Sequence, residues 1–423
     1  MGELPQLLRQ LRQLHPVPAP IGWAGDDRPV AITTDQSLDL HPAGGVGALY
    51  YGIIAVLGSS QGSGTGLDWV TLAYSKSDGC EILPPQRHTS SGERTDTPID
   101  IACGREAVMA EGHADAQTGI FVTGGSPGAA NGGYYEYFTD AYVIFGDTCL
   151  TSTGNGAKAL GWPRTYGGGS GITSIPARAK YLKDYLYITG TTQVISSGAS
   201  DMLTAGYYTL NTWSGVSDPA MRTPEFHDQM DFTNVDGSSR NDFASDLELF
   251  FAYSGAPILA VTGSSTGTNP SGTGIATQLY NDVVVPQWDL GALWVRNPTG
   301  TGNDDEGLRA QMIDSGTNEA EGGSMVNLYI TGKNHIPGTA IDEYVSLKYG
   351  TAPTSILTLK PTSWTDANIP NTFYSNSGTA GNHIPARIIA ERATTTPRRI
   401  FVTGTSWSST SADDWATMFT SEN

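Results

Sequence analysis

"RIFVTGTSWSSTSADDWATMF", residues 399–419, is an apolar run, a Thr-Gly, a stretch of small residues, an acid pair and a second alternating run. Alternating apolar and polar residues with β-branched and aromatic side chains make strands, because successive side chains point to opposite faces. Relatives of this phrase occur five more times. Aligned on the glycine, the first runs are "IIAVLG" ending at Gly58, "IFVTG" at Gly124, "LYITG" at Gly190, "LAVTG" at Gly263, "LYITG" at Gly332 and "IFVTG" at Gly404. The glycines stand 66, 66, 73, 69 and 72 residues apart. One supersecondary unit is therefore used six times.

Each glycine leads into Gly/Ser/Thr-rich residues that read as a loop, and then into the second strand. That strand opens at Asp68, Asp140, Asp201, Asp342 or Asp414, with Gly274 in the fourth unit. A third run precedes each Thr-Gly strand, as in "DDRPVAITTD" from Asp26, "TDTPIDIACG" from Thr95 and "DDEGLRAQMID" from Asp304. "SIPARAKYL" from Ser174 and "HIPARIIAE" from His383 share Ile-Pro-Ala-Arg. A weaker fourth run follows, clearest as "GALWVRNP" around Trp294. Four antiparallel strands per unit, repeated six times, predict an all-β fold: one six-bladed β-propeller of four-stranded blades over residues 1–423. The coils of a parallel β-helix are far shorter than this period. The last unit stops after its second strand, so residues 6–16 of the N-terminal segment 1–25 are expected to add the strand that closes the ring. Their leucines also suit an amphipathic helix.

The phrase with Tyr or Phe, Ile/Val, Thr-Gly, small residues, Asp and an alternating strand ending in Tyr resembles the bacterial SBBP-type β-propeller repeat. The resemblance runs from Asp26 onwards, with departures at Leu57 and Gly274. It implies the propeller fold and a surface or secreted protein. It is nearly silent on activity.

Composition narrows the partners. The chain carries 23 Lys+Arg against 42 Asp+Glu, a net charge of −19, and charged residues make up 15% of it. Nothing here supplies the basic stripe that phosphate backbones require, so nucleic acid is not an expected partner. No apolar stretch approaches membrane-spanning length. The first residues lack the pattern of a signal peptide, yet the resemblance implies an extracellular or cell-surface location. The three cysteines, Cys80, Cys103 and Cys149, form no framework or metal spacing, and all are expected to be free thiols.

Three matches to G-x-S-x-G occur, at 58–62, 124–128 and 263–267. A nucleophile elbow needs a strand feeding a helix. These lie between strands at one point of the repeat, so they read as structure. Glycine clusters at 62 and 167 lack the Lys-Ser/Thr of a phosphate loop, and no HExxH or EF-hand loop is present.

The candidate binding residues are those that enter the innermost strands: Asp27, Asp96, Asp242, Asp305 and His383. In a propeller they would ring one channel mouth, where convergent carboxylates suit a hard cation, and a calcium bound there would be structural. Arg178 and Arg387 would sit beside that mouth. The competing reading is turn capping at a strand entrance. Tyr134, Tyr135, Tyr137 and Trp407 are expected to be exposed and able to stack on a sugar or a protein, whereas Trp69 and Trp415 belong in the core.

Regular repeats without a catalytic signature predict a non-enzymatic binding or scaffolding module for a protein or glycan partner, with self-assembly through the N-terminal strand as a variant. The alternative is a propeller enzyme of lyase, lactonase or glycosidase type, using the mouth carboxylates and a divalent metal. An enzyme should break the repeat at its site.

Overall fold

The structure is a computed structural model. It describes residues 28–34, 53–61, 66–76, 79–90, 95–106, 117–128, 132–144, 156–159, 162–167, 169–182, 185–209, 224, 226–230, 240–251, 257–268, 271–281, 294–296, 306–318, 323–335, 342–351, 364–366, 372–374, 383–390, 398–408 and 411–422. The proposed closing segment 1–25 lies outside them. Every regular element among the described residues is a strand.

The strands form six sheets, each in chain order from its first strand outward. The first holds β1 (Arg28–Thr34), β2 (Ile53–Gln61), β3 (Leu67–Ser75) and β4 (Glu81–His88). The second holds β5 (Thr97–Glu106), β6 (Gln117–Pro127), β7 (Tyr135–Ile144) and β8 (Gly156–Lys158), with β9 (Arg164–Tyr166) also on β7. The third holds β10 (Ile172–Leu182), β11 (Tyr185–Val194), β12 (Ser200–Tyr208) and β13 (Phe226–Met230). The fourth holds β14 (Asn241–Phe251), β15 (Pro257–Thr268), β16 (Ser271–Asn281) and β17 (Trp294–Arg296). The fifth holds β18 (Glu306–Asn318), β19 (Gly323–His335), β20 (Asp342–Thr351) and β21 (Trp364–Asp366), with β22 (Thr372–Tyr374) also on β20. The sixth holds β23 (His383–Ala390), β24 (Arg398–Ser408) and β25 (Ser411–Glu422). The ladders between first and second strands are antiparallel.

The Thr-Gly run is the second strand of each sheet, and it does not stop at the glycine. Pairing continues to Gln61 opposite Leu67, Pro127 opposite Tyr135, Thr268 opposite Ser271 and Ser408 opposite Ser411. The expected loops are thus largely ladder. Small polar residues resemble a loop in composition, but their backbones pair as well as any others.

The repeated threonine has a partner. Thr123 Oγ1 lies 3.2 Å from Thr139 Oγ1, Thr189 Oγ1 3.0 Å from Thr204 Oγ1, and Thr262 Oγ1 3.5 Å from Thr277 Oγ1. Ser346 Oγ donates to Thr331 Oγ1 at 3.4 Å, and Thr417 Oγ1 to Thr403 Oγ1 at 3.3 Å. In the first sheet Leu57 faces Thr71 instead. Hydroxyl pairs across adjacent strands satisfy each other where water is excluded.

The repeated glycine answers a different demand. The first strands β1, β5, β14, β18 and β23 carry a β-bulge opposite it: between Pro29 and Ala31, Pro98 and Asp100, Ala244 and Asp246, Gly307 and Arg309, and Pro385 and Arg387. The bulge swings a carbonyl onto the glycine. A Cβ at Gly58 would sit 2.9 Å from Arg28 O, one at Gly124 2.2 Å from Thr97 O, and one at Gly263 1.8 Å from Phe243 O. No side chain fits there.

The chain divides into two compact units, residues 1–187 with 206–224 and residues 188–205 with 225–423. In the first unit β5 lies against β1, β2 and β3, and β10 against β5, β6 and β7. Ile53, Leu57, Trp69, Ile82 and Leu83 form its core with Ile101, Ile120, Val122, Phe138 and Tyr142. Trp69 is buried as expected, but Tyr137 is buried as well, correcting its expected exposure. A second cluster stacks Phe121 on Tyr181 and holds Arg164 over the Trp162 ring at 4.4 Å. In the second unit β18 lies against β14, β15 and β16, and β23 against β18, β19 and β20. Within each unit, then, β5, β10, β18 and β23 each pack across three strands of the preceding sheet.

One cysteine expectation fails. Cys80 is disulfide-bonded, to a partner outside the described residues, and Cys103 keeps its thiol. Three cysteines without a regular spacing carry no sign of a bridge in the sequence. The outer strands β4 and β8 nevertheless meet, so neighbouring sheets converge near that edge.

Replacing Gly124 by Ala should destabilise the protein by about 2–3 kcal/mol, because backbone of β5 and the Trp69 ring at 2.6 Å occupy the new methyl's place. Gly169→Ala, whose Cβ would meet only ordinary contacts from 3.5 Å, should be close to neutral. Denaturant midpoints of the two variants check this.

Candidate active site

The bulge decides which side chain stands at the centre of each first strand. First strands are edge strands in the sheet order, so proline is tolerated at the bulge, as at Pro29, Pro98 and Pro385. The residue that resumes pairing is Ala31, Asp100, Asp246, Arg309 or Arg387. In β10 the shared Ile-Pro-Ala-Arg assigns Arg178 to the same place. Five of the six positions are ionisable in a chain with only 15% charged residues.

In the first unit, Asp100 is 5% exposed and reaches across to β10. Its Oδ2 accepts from the Ala179 amide at 2.9 Å and lies 3.5 Å from Arg178 Nε. Arg178 Nη1 stands 3.5 Å from Oδ1. Burial raises the proton affinity of Asp100 above the ordinary carboxylate range. The Arg178 guanidinium and the amides of Ala179 and Ile101 oppose that without cancelling it. In the second unit the motif recurs: Asp246, 3% exposed, accepts from the Ala310 amide at 2.9 Å through Oδ2. In both, a carboxylate grips the amide after the equivalent position of the next sheet.

The strand-entrance residues singled out in the sequence behave differently. Asp96 is fully buried and committed to the fold: Oδ2 accepts from Ser90 N at 2.8 Å, Oδ1 from Ser126 Oγ at 2.7 Å, and its own amide donates to Leu67 O at 2.8 Å. Asp242, also fully buried, stands opposite Ser265 in the ladder, and His383 opposite Ser406. Asp27 and Asp305 lie outside the described residues. Tyr134 is half-buried, and Tyr135 donates its hydroxyl to Thr95 O at 2.9 Å. Trp407 belongs to β24, with its side chain outside the description, as is that of Trp415.

The G-x-S-x-G serines are inside strands. Ser126 serves Asp96, Ser60 accepts from Arg87 Nη2 at 2.8 Å, and Ser265 accepts from Arg240 Nε at 2.8 Å. The acids that follow the Thr-Gly strands, Asp68 on β3 and Asp140 on β7, are used likewise, Asp68 by Arg87 and Asp140 by Lys158 at 2.7 Å. His88 stacks on Phe138 at 3.9 Å, and burial lowers its proton affinity despite Asp96, Asp140 and Asp68 nearby. No group of three or more His, Cys, Asp or Glu placed to hold a metal occurs among the described residues.

Asp100, Asp246 and Arg309 were missed in the sequence although a signal exists. Each stands four residues after an entrance residue: Asp96 and Asp100, Asp242 and Asp246, Asp305 and Arg309, His383 and Arg387, Ser174 and Arg178.

No protein-family model matches the chain, and no curated protein matches it. Among solved structures, it is similar to the GH93 alpha-L-arabinofuranosidase of Fusarium graminearum with arabinobiose, at 9% identity and a TM-score of 0.38 over 87% of this chain and 89% of that one. It is also similar to an exo-1,5-alpha-L-arabinanase from a bovine ruminal metagenomic library, at 12% identity and a TM-score of 0.33 over 77% and 93%. A third is Bacillus subtilis levansucrase in complex with oligosaccharides, at 10% identity and a TM-score of 0.27 over 80% and 88%. All three are enzymes by name. The expected non-enzymatic binding or scaffolding module is corrected on that finding. At TM-scores this low no residue role is carried over.

Folding favours the protonated form of Asp100, so its contribution is complete below the unfolded carboxylate value and is lost as pH rises through the raised one. Asp100→Asn lacks this dependence. Its melting temperature, relative to the parent, should therefore climb as pH rises from about 4. Scanning fluorimetry across pH 4–8 measures the difference, and a flat difference would refute the assignment.

Proposed function

We propose that the chain is a β-propeller enzyme of the glycosidase type, with the six sheets as its blades and its ionisable groups presented by the first strands. The carrying observation is that five of six equivalent first-strand positions are Asp or Arg. A repeat kept only for folding has no need of them, as Ala31 at the same position of β1 illustrates.

Within the first unit, Asp100 is assigned as proton donor to the departing sugar oxygen. Its raised proton affinity keeps it protonated to higher pH than an ordinary carboxyl. Arg178, 3.5 Å away, then steadies the carboxylate that remains. Glycoside hydrolysis needs such an acid, because the alkoxide leaving group must be protonated as the bond breaks.

The purified full chain is assayed on chromogenic aryl glycosides, neutral and acidic. Asp100→Asn should lower kcat by about 10²–10⁴-fold. In the parent, activity should fall as pH rises through the raised Asp100 value, since the acid must carry its proton. No hydrolysis of any glycoside, or an Asp100→Asn variant as active as the parent, would sink the reading.

A further inference from the structure

The repeat breaks between β18 and β23. Between β5 and β10 the leading residue is Asp100 and the following one Arg178, a carboxylate and a guanidinium in an ion pair. Between β14 and β18 the leading residue is Asp246, bound to the amide after Arg309. Between β18 and β23 the leading residue is Arg309 and the following one is Arg387. A cation stands where the other two pairs have an acid.

Arg309 is held in place by backbone: its Nε donates to Ala386 O at 3.1 Å and its Nη1 to Leu308 O at 2.6 Å. Ala386 immediately precedes Arg387, so the Arg309 guanidinium lies against the backbone that carries the second arginine. Arg387 is exposed and has no hydrogen-bond or ion-pair partner among the described residues. β18 and β23 are packed first strands of two different sheets, and a like charge on each repels the other, which an anion would relieve. The chain as a whole, at −19, repels anions. A local cationic pair in such a protein is where an anionic group would be admitted.

We infer that Arg309 and Arg387 form a subsite for an oxyanion substituent on a saccharide, either the carboxylate of a uronic acid or a sulfate ester. Arg387 supplies the exposed, planar donor fork that matches either group, and Arg309 supplies a fixed second charge. This rests on the glycosidase-type reading and narrows its substrate class to acidic sugars.

The full chain is titrated calorimetrically with galacturonate and glucuronate oligosaccharides, each beside its uncharged methyl ester, and with a sulfated galactose oligosaccharide beside its unsulfated form. At least one acidic ligand should bind about tenfold more tightly than its neutral counterpart. Arg387→Gln should abolish that preference, Arg387→Lys should retain part of it, and rising salt should weaken it. Preference for a uronate over the sulfated sugar identifies the carboxylate as the group, and the reverse identifies the sulfate. Equal binding of every charged and neutral pair, or a preference that survives Arg387→Gln, overturns the inference. If neutral glycosides are hydrolysed with no acidic preference, this subsite falls and the enzyme reading stands. An Arg387-dependent preference without hydrolysis leaves the subsite and removes the enzyme reading.

Discussion

The contact on which the rest depends is backbone against backbone. A bulge in the first strand brings a carbonyl into the space above the second strand at Gly58, Gly124 and Gly263, and only glycine leaves that space empty. At Gly124 the methyl of an alanine would meet Thr97 O at 2.2 Å, and at Gly263 it would meet Phe243 O at 1.8 Å. The bulge in turn shifts the alternation of the first strand, so the next residue points toward the adjoining sheet. Without the glycine there is no bulge, and without the bulge Asp100 does not reach the Ala179 amide.

Around this contact the repeat spends most of its polar residues on its own fold. The threonine before the glycine pairs with a hydroxyl on the next strand, and the serine after it satisfies an entrance acid or a neighbouring arginine. Buried polar groups without partners cost more than the pairs contribute, so once the backbone geometry is set these partners follow. Motifs that resemble catalytic signatures, above all G-x-S-x-G, are accounted for here. Asp96 belongs in the same group, with both carboxylate oxygens occupied inside the protein.

Ionisable groups left at the post-bulge position are of another kind. Their identity changes from sheet to sheet, from alanine to aspartate to arginine, while the backbone around them stays constant. Folding requires constancy and chemistry requires difference. A buried carboxyl of raised proton affinity beside a guanidinium, and two arginines on the first strands of neighbouring sheets, both arise at this one position.

Strand content, the repeated unit and the burial of Trp69 were legible in the sequence alone, because period-2 alternation and a glycine every 66–73 residues are local or periodic signals. The need for Thr and Gly was visible there as recurrence, though not its cause. Tertiary structure decided the rest. Small residues after the glycine form ladder instead of loop, since pairing depends on the partner strand and not on composition. Tyr137 is buried, and Cys80 is bridged, because neighbouring sheets pack and converge where a one-dimensional pattern gives no distance. Entrance acids such as Asp96 and post-bulge acids such as Asp100 are indistinguishable by residue type. Only the register shift at the bulge separates a carboxylate spent on a turn from one carried across to the next sheet.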